Sequence, residues 1–135
     1  MINFILKFFA MMPLRLNHLI GSLIGYYLYM SDSDSKKIVH KNIQTCFPNL
    51  AKSEQQDLIK KSLIETGKGL SESGFIWLRS FKDNAKHITK TTGSEYLNSD
   101  QPIILLVPHF GCWEITGRVL SIETPTTFLY KPLRK

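Results

Sequence analysis

The residues best suited to chemistry lie in one heptapeptide, Pro108-His109-Phe110-Gly111-Cys112-Trp113-Glu114. An imidazole takes a proton from a hydroxyl near neutral pH. A carboxylate accepting the hydrogen on its other nitrogen fixes the tautomer that does so. His109 and Glu114 are five positions apart. On one continuous helix that spacing sets them about 140° apart around the axis, so they would not meet. A turn between them removes the obstacle. Gly111 supplies the backbone freedom, and Pro108 restricts the approach. The pair then forms a general base and its orienting carboxylate, with the substrate providing the nucleophile. A helix opening at Trp113 adds unpaired N–H groups and a positive dipole end, which suit an oxyanion.

A His and a Glu at this spacing occur by chance in many chains, so the elements around them decide. Ile103-Ile104-Leu105-Leu106-Val107 precedes the heptapeptide. A continuous apolar run of this kind suits a strand buried on both faces of a parallel sheet. His87 to Thr92 has strand character and Gly93 stops it; Ser94 to Leu97 has room for one helical turn. Trp113 to Leu120 reads as a helix and Thr126 to Tyr130 as the next strand. Strand, loop, helix, strand is a βαβ unit with a right-handed crossover. Open α/β sheets place ligands at the carboxyl ends of their strands, where His109 falls.

The N-terminal part has another character. Residues 1–30 read MINFILKFFAMMPLRLNHLIGSLIGYYLYM. Lys7 and Arg15 interrupt the apolar run instead of preceding it, and no small-x-small cleavage site follows, so a secretory signal fits poorly. A membrane span needs about 20 apolar residues, and Lys7, Pro13, Arg15 and His18 break the stretch. From Leu14 onward the pattern is amphipathic. Leu16, Leu19, Ile20, Leu23, Ile24, Tyr27 and Leu28 share a broad face opposite Arg15, His18 and Ser22. Such a helix lies in a membrane interface behind a short greasy segment from Ile2 to Met12, or packs in a protein core. Tyr26, Tyr27 and Tyr29 are side chains that interfaces favour. Residues 31–35, SDSDS, can cap a helix from Lys36 to Phe47, which Pro48 and Asn49 end. Ser53 and Gln56 fit a capping box for a helix from Glu54 to about Leu70. The expected fold class is therefore α/β, with N-terminal membrane-associated helices followed by the start of a sheet. The expected domains are a membrane-associating segment, 1–30, and a body, 31–135.

Composition narrows the partners. The 135 residues are 43% hydrophobic and 21% charged, which argues against intrinsic disorder. The net charge is +6. That balance suits nucleic acid, an anionic membrane or an acidic substrate. No basic stripe interleaved with aromatics and no zinc-finger spacing is present, so nucleic acid is set aside. Cys46 and Cys112 lie far apart without a C-x-x-C pair, which points to reduced thiols and gives no metal or disulfide framework. Arg118, four after Glu114, suits a surface salt bridge or a phosphate contact. Lys131, Arg134 and Lys135 suit a phosphate-facing patch or a solvated end.

The segment ILLVPHFGCWEI resembles the His-x4-acid motif of the glycerolipid acyltransferases. More specifically, HFG-x-WE is similar to the late acyltransferases of lipid A biosynthesis, the lauroyl and myristoyl transferases. Asn42 to Pro48 is similar to that family's N-x3-C-F-P segment, and Tyr130-Lys131-Pro132 to its Y-R-P stretch. The chain departs from the family at Cys112, where Asn is usual, and at Lys131, where Arg is usual. The resemblance implies a glycerolipid-acyltransferase-like mixed sheet and an O-acyltransferase at the cytoplasmic face of the bacterial inner membrane. The acyl chain would come as a thioester from acyl carrier protein, or coenzyme A. The acceptor would be a hydroxyl of a lipid A precursor. His109 would be the base and Glu114 its orienter. Gly111, Arg118, Lys131 and Arg134 would contact substrate, and neither cofactor nor metal is implied. Family members continue well beyond this length, so the chain is expected to be the N-terminal, truncated part of the domain. The alternatives are a catalytically inactive membrane-binding fragment of such an enzyme, and a helical membrane adaptor in which the His and Glu are incidental.

Overall fold

The computed structural model describes residues 2–98, 101–123 and 125–129. The chain divides into two compact units, one ending at Arg79 and one beginning at Ser80.

The first unit is four helices: α1 (Ile2–Met11), α2 (Leu14–Met30), α3 (Asp34–Cys46) and α4 (Lys52–Leu78). Pro13 separates the first two, in the extended conformation that a residue ahead of a helix adopts. Ser33 caps α3 by accepting Lys36 N–H at 3.3 Å. Pro48 follows its end. The N-cap of α4 is Ala51, whose N–H donates to Glu54 Oε2 at 2.9 Å. Half of a capping box is thus present, two residues ahead of the expected Ser53 and Gln56.

α4 is the spine on which the other three helices pack. Its N-terminal half meets α3 through an apolar cluster of Ile43, Ile59 and Leu63. Burying each such side chain contributes about 1.5–3 kcal/mol. Its second half meets α2 through small residues. A Cβ at Gly21 would stand 2.5 Å from Ser71 Oγ, and one at Gly67 2.5 Å from the Gly25 nitrogen. Both helices carry a small-xxx-small pattern, Gly21/Gly25 and Gly67/Ser71, so their backbones nearly touch. Gly74 admits α1 in the same way, at Leu6 and Phe9. These glycines therefore continue α4 to Leu78, past the end expected near Leu70.

Most polar groups of this interface find partners across it, although Asn17 Oδ1 is buried without one among the described residues. Asn17 is fully buried and donates to Phe9 O at 3.2 Å. Ser71 Oγ lies 3.1 Å from Asn17 O. His18 pairs with Glu72. Arg79 donates from Nε to Ala10 O at 2.5 Å and from Nη2 to Met12 O at 2.9 Å. It thereby satisfies carbonyls that the end of α1 leaves open.

The second unit holds α5 (Phe81–Ala85), a 3-10 turn (Ser94–Asn98) and α6 (Glu114–Glu123), with α5 against α6. Ser80 caps α5 by accepting Asp83 N–H at 3.2 Å. The short turn and α6 match the sequence expectations. The α/β expectation is overturned: among the described residues there is no strand and hence no sheet or βαβ unit. His87 to Thr92, Ile103 to Val107 and Thr126 to Leu129 are irregular; Tyr130 lies outside the described residues. A strand persists only where neighbours satisfy its N–H and C=O groups and cover its faces. No ladder forms between these segments, and Ile104 and Leu106 are 93% and 89% exposed. The apolar run encodes a wish for burial without encoding a partner. The described helices also give no membrane span, an outcome the breaks at Lys7, Pro13, Arg15 and His18 had left open. No helix among the described residues is long and apolar enough to cross a membrane. α2 has 17 residues and includes Arg15 and His18, and the 27 residues of α4 are largely polar.

Candidate active site

The heptapeptide folds as a pair of turns leading into α6. Phe110 N–H donates to Pro108 O at 2.8 Å, which makes His109 the apex of a three-residue turn. Gly111 follows at φ +57°, in the left-handed region that glycine enters without strain. A Cβ there would meet nothing within 4 Å, so its requirement is conformational and not one of space. Ile115 N–H then donates to Cys112 O at 3.3 Å and Thr116 N–H to Trp113 O at 3.1 Å, opening the helix. Glu114 is the first helical residue and half-buried. An acidic side chain in that first turn is favoured by the helix dipole.

His109 is exposed, and its ring rests against the indole of Trp113, with centroids 4.3 Å apart and planes at 50°. Among the described residues no hydrogen bond or ion pair joins His109 to Glu114. The turn thus brings both residues to the start of α6, while the ring contact goes to Trp113. Sequence reading missed this contact; the four-residue spacing of the two rings was its signal. Arg118 lies one turn into α6 and is half-buried. Cys112 is an exposed thiol. Lys131 and Arg134 lie outside the described residues.

Residues 1–135 match the family described as bacterial lipid A biosynthesis acyltransferase. The chain belongs to that family. Among its curated relatives, the lipid A biosynthesis lauroyltransferase of Escherichia coli K12 is 30% identical over 100 residues, covering 71% of this chain and 32% of the relative. The lipid A biosynthesis acyltransferase of Haemophilus influenzae is 28% identical over 97 residues, covering 70% and 31%. The lipid A biosynthesis palmitoleoyltransferase of E. coli K12 is 23% identical over 135 residues, covering 95% and 43%. The chain spans less than half the length of each of these relatives. No solved structure matches it. The resemblance drawn from HFG-x-WE and its flanking blocks is thereby borne out at the level of the lipid A acyltransferase family.

Proposed function

We propose that this chain carries the general base of an O-acyltransferase. The enzyme moves a fatty acyl group from a thioester, on acyl carrier protein or coenzyme A, to a hydroxyl of a lipid A precursor. The observation that carries the reading is His109 at the apex of an exposed turn, five residues ahead of the carboxylate that opens α6. Membership of the lipid A acyltransferase family supports it.

In this reading His109 takes the proton of the acceptor hydroxyl as its oxygen attacks the thioester carbonyl carbon. The C–S bond then breaks, and the departing thiolate receives that proton from His109. Glu114 accepts the N–H of the other imidazole nitrogen and stabilises the imidazolium. That bond forms as the substrates close the turn; catalytic hydrogen bonds in unliganded sites commonly tighten only in the complex. Gly111 keeps the turn open beside the acceptor, and Arg118, Lys131 and Arg134 contact its phosphates. The enzyme works at the cytoplasmic face of the bacterial inner membrane. The outward apolar residues of α1 and α2, among them Phe4, Phe8, Leu19 and Leu23, support contact with a membrane surface.

The test is acyl transfer from a labelled thioester to lipid A precursor by the whole protein. His109→Ala is expected to lose about 10²- to 10⁴-fold in turnover, with Glu114→Gln impaired less. Unchanged turnover in His109→Ala would sink the mechanism.

A further inference from the structure

α2 is assembled the opposite way from a helix in water. The side it turns to α4 carries Asn17, Gly21 and Gly25, all buried. Its outer side carries Leu16, Leu19, Leu23, Tyr26, Tyr27 and Met30, all exposed. At about 100° per residue these six form one stripe roughly 100° wide. An apolar stripe of this size marks an interaction surface.

Two lysines from other helices stand along one border of that stripe, towards the C-terminal end of α2. Lys36 of α3 lies with Nζ 5.2 Å from the Tyr29 ring centre, and Lys60 of α4 lies 5.4 Å from that of Tyr26. The two rings are 6.5 Å apart. Three helices of one unit thus present two ammonium groups flanking a pair of tyrosines. The carboxylates nearby in sequence are engaged by other lysines. Lys37 pairs with Asp32 at 3.2 Å, and Lys61 with Asp57 at 2.6 Å. Neither Lys36 nor Lys60 has a carboxylate within ion-pair reach among the described residues.

We infer that Lys36, Lys60, Tyr26 and Tyr29 form a site for the phosphate of an anionic phospholipid headgroup, with the outer stripe of α2 seated in the adjoining acyl region. The inference rests on the membrane-surface location proposed above and adds the residues that read the surface. Each ammonium offers three donors to phosphate oxygens, and the ring beneath it holds it in place without neutralising it. Tyrosine hydroxyls reach the headgroup layer while their rings stay with the apolar residues. An acidic protein would satisfy the lysines but leave Leu16, Leu19 and Leu23 uncovered. A bilayer surface meets both requirements.

The experiment measures binding of the whole protein to vesicles of phosphatidylcholine alone or mixed with phosphatidylglycerol. Circular dichroism confirms helix content in each variant. The wild type is expected to prefer the mixed vesicles. The double variant Lys36→Gln/Lys60→Gln is expected to lose about 30-fold on them and much less on phosphatidylcholine, whose phosphate is neutralised by its own choline, since each basic residue near an anionic surface contributes about 1 kcal/mol. Lys37→Gln/Lys61→Gln removes the same charge from the same helices and is expected to lose much less. Equal losses in the two doubles overturn the site in favour of diffuse charge. Equal wild-type binding to both vesicle types overturns the headgroup site while leaving the membrane reading intact. Binding to neither overturns both. If Lys36→Gln/Lys60→Gln weakens capture of acyl carrier protein and leaves vesicle binding unchanged, the occupant is an acidic protein and the inference fails.

Discussion

The ring of His109 lies on the indole of Trp113, 4.3 Å between centres, at the point where the irregular chain becomes α6. An exposed imidazole at the apex of a three-residue turn has few restraints of its own. The contact with Trp113 limits the freedom of the ring and, in the mechanism proposed above, sets where it meets an acceptor hydroxyl. Such positioning is expensive to lose, because a 1 Å misplacement of a reacting group costs about 10²-fold. Trp113→Ala is therefore expected to lower kcat by about 10-fold or more. Trp113→Phe, which keeps a ring at the same place, should retain most of it. Steady-state kinetics with saturating thioester check this; equal activity in the two variants would mean that the ring contact does not position His109.

Gly111 gives a second prediction on the same turn. At φ +57° any residue with a Cβ is strained, and the open surroundings rule out a steric excuse. Gly111→Ala is expected to cost about 1–2 kcal/mol of the turn's conformation. Gly111→Asn should cost less, because Asn visits this region more readily. Acyl transfer should follow the order Gly, Asn, Ala, at unchanged melting of the first unit. An alanine variant as active as the wild type would show that the turn is not used in the reactive state.

The helices were legible because their signals are local. Ser33 and Pro48 bracket α3 within a residue or two of where they point. The outward face of α2 was readable as one amphipathic stripe, although the sequence could not say which side met protein. The turn at Gly111 and the opening of α6 were readable for the same reason: a glycine, a following helix and a five-residue spacing are all near neighbours. The sheet was not legible. Ile103 to Val107 reports hydrophobicity, whereas a strand is decided by partners elsewhere in the chain. Long-range pairs were equally hidden. Glu72 lies 54 positions from His18, and Ser71 the same distance from Asn17. Nothing in the sequence around His18 announces a carboxylate partner. Gly67 and Gly74 weaken a helix by propensity alone, but they are the places where α4 lets other helices in.

Those glycines yield a third prediction, which contrasts two neighbours on one helix. A Cβ at Gly67 would run into the backbone of Gly25 and Gly21. A Cβ at Gly69, two residues on, would meet nothing within 4 Å. Gly67→Ala is thus expected to push α2 from α4 and to cost about 1–3 kcal/mol, the usual range for overpacking. Gly69→Ala should stabilise by about 0.5–1 kcal/mol, because alanine loses less backbone freedom in a helix. Denaturant midpoints followed by circular dichroism measure both. Shifts of the same sign would show that the close approach of the two helices does not exist in solution.

The fourth prediction concerns the link between the two ends of the first unit. Arg79, just beyond α4, reaches back to Ala10 and Met12 and lies with its guanidinium carbon 4.3 Å from the Phe75 ring centre. Two donors in a fixed fork serve two carbonyls that α1 cannot satisfy internally. Hydrogen bonds from a charged group contribute about 1.5–3 kcal/mol each, but the side chain is only partly buried, so the lower end applies. Arg79→Met keeps the packing on Phe75 and removes both donors; it is expected to destabilise the first unit by about 3 kcal/mol. Arg79→Lys retains the charge without the fork, can serve one carbonyl at a time, and should fall between the two. The loss should be local before it is global. Hydrogen exchange of amides in α1 should accelerate in Arg79→Met, while amides around Ile59 and Leu63, which pack against Ile43 at the other end of α4, stay protected. If exchange in α1 is unchanged in Arg79→Met, the clamp contributes nothing to holding α1, and the packing of Gly74 against Leu6 and Phe9 holds that helix alone.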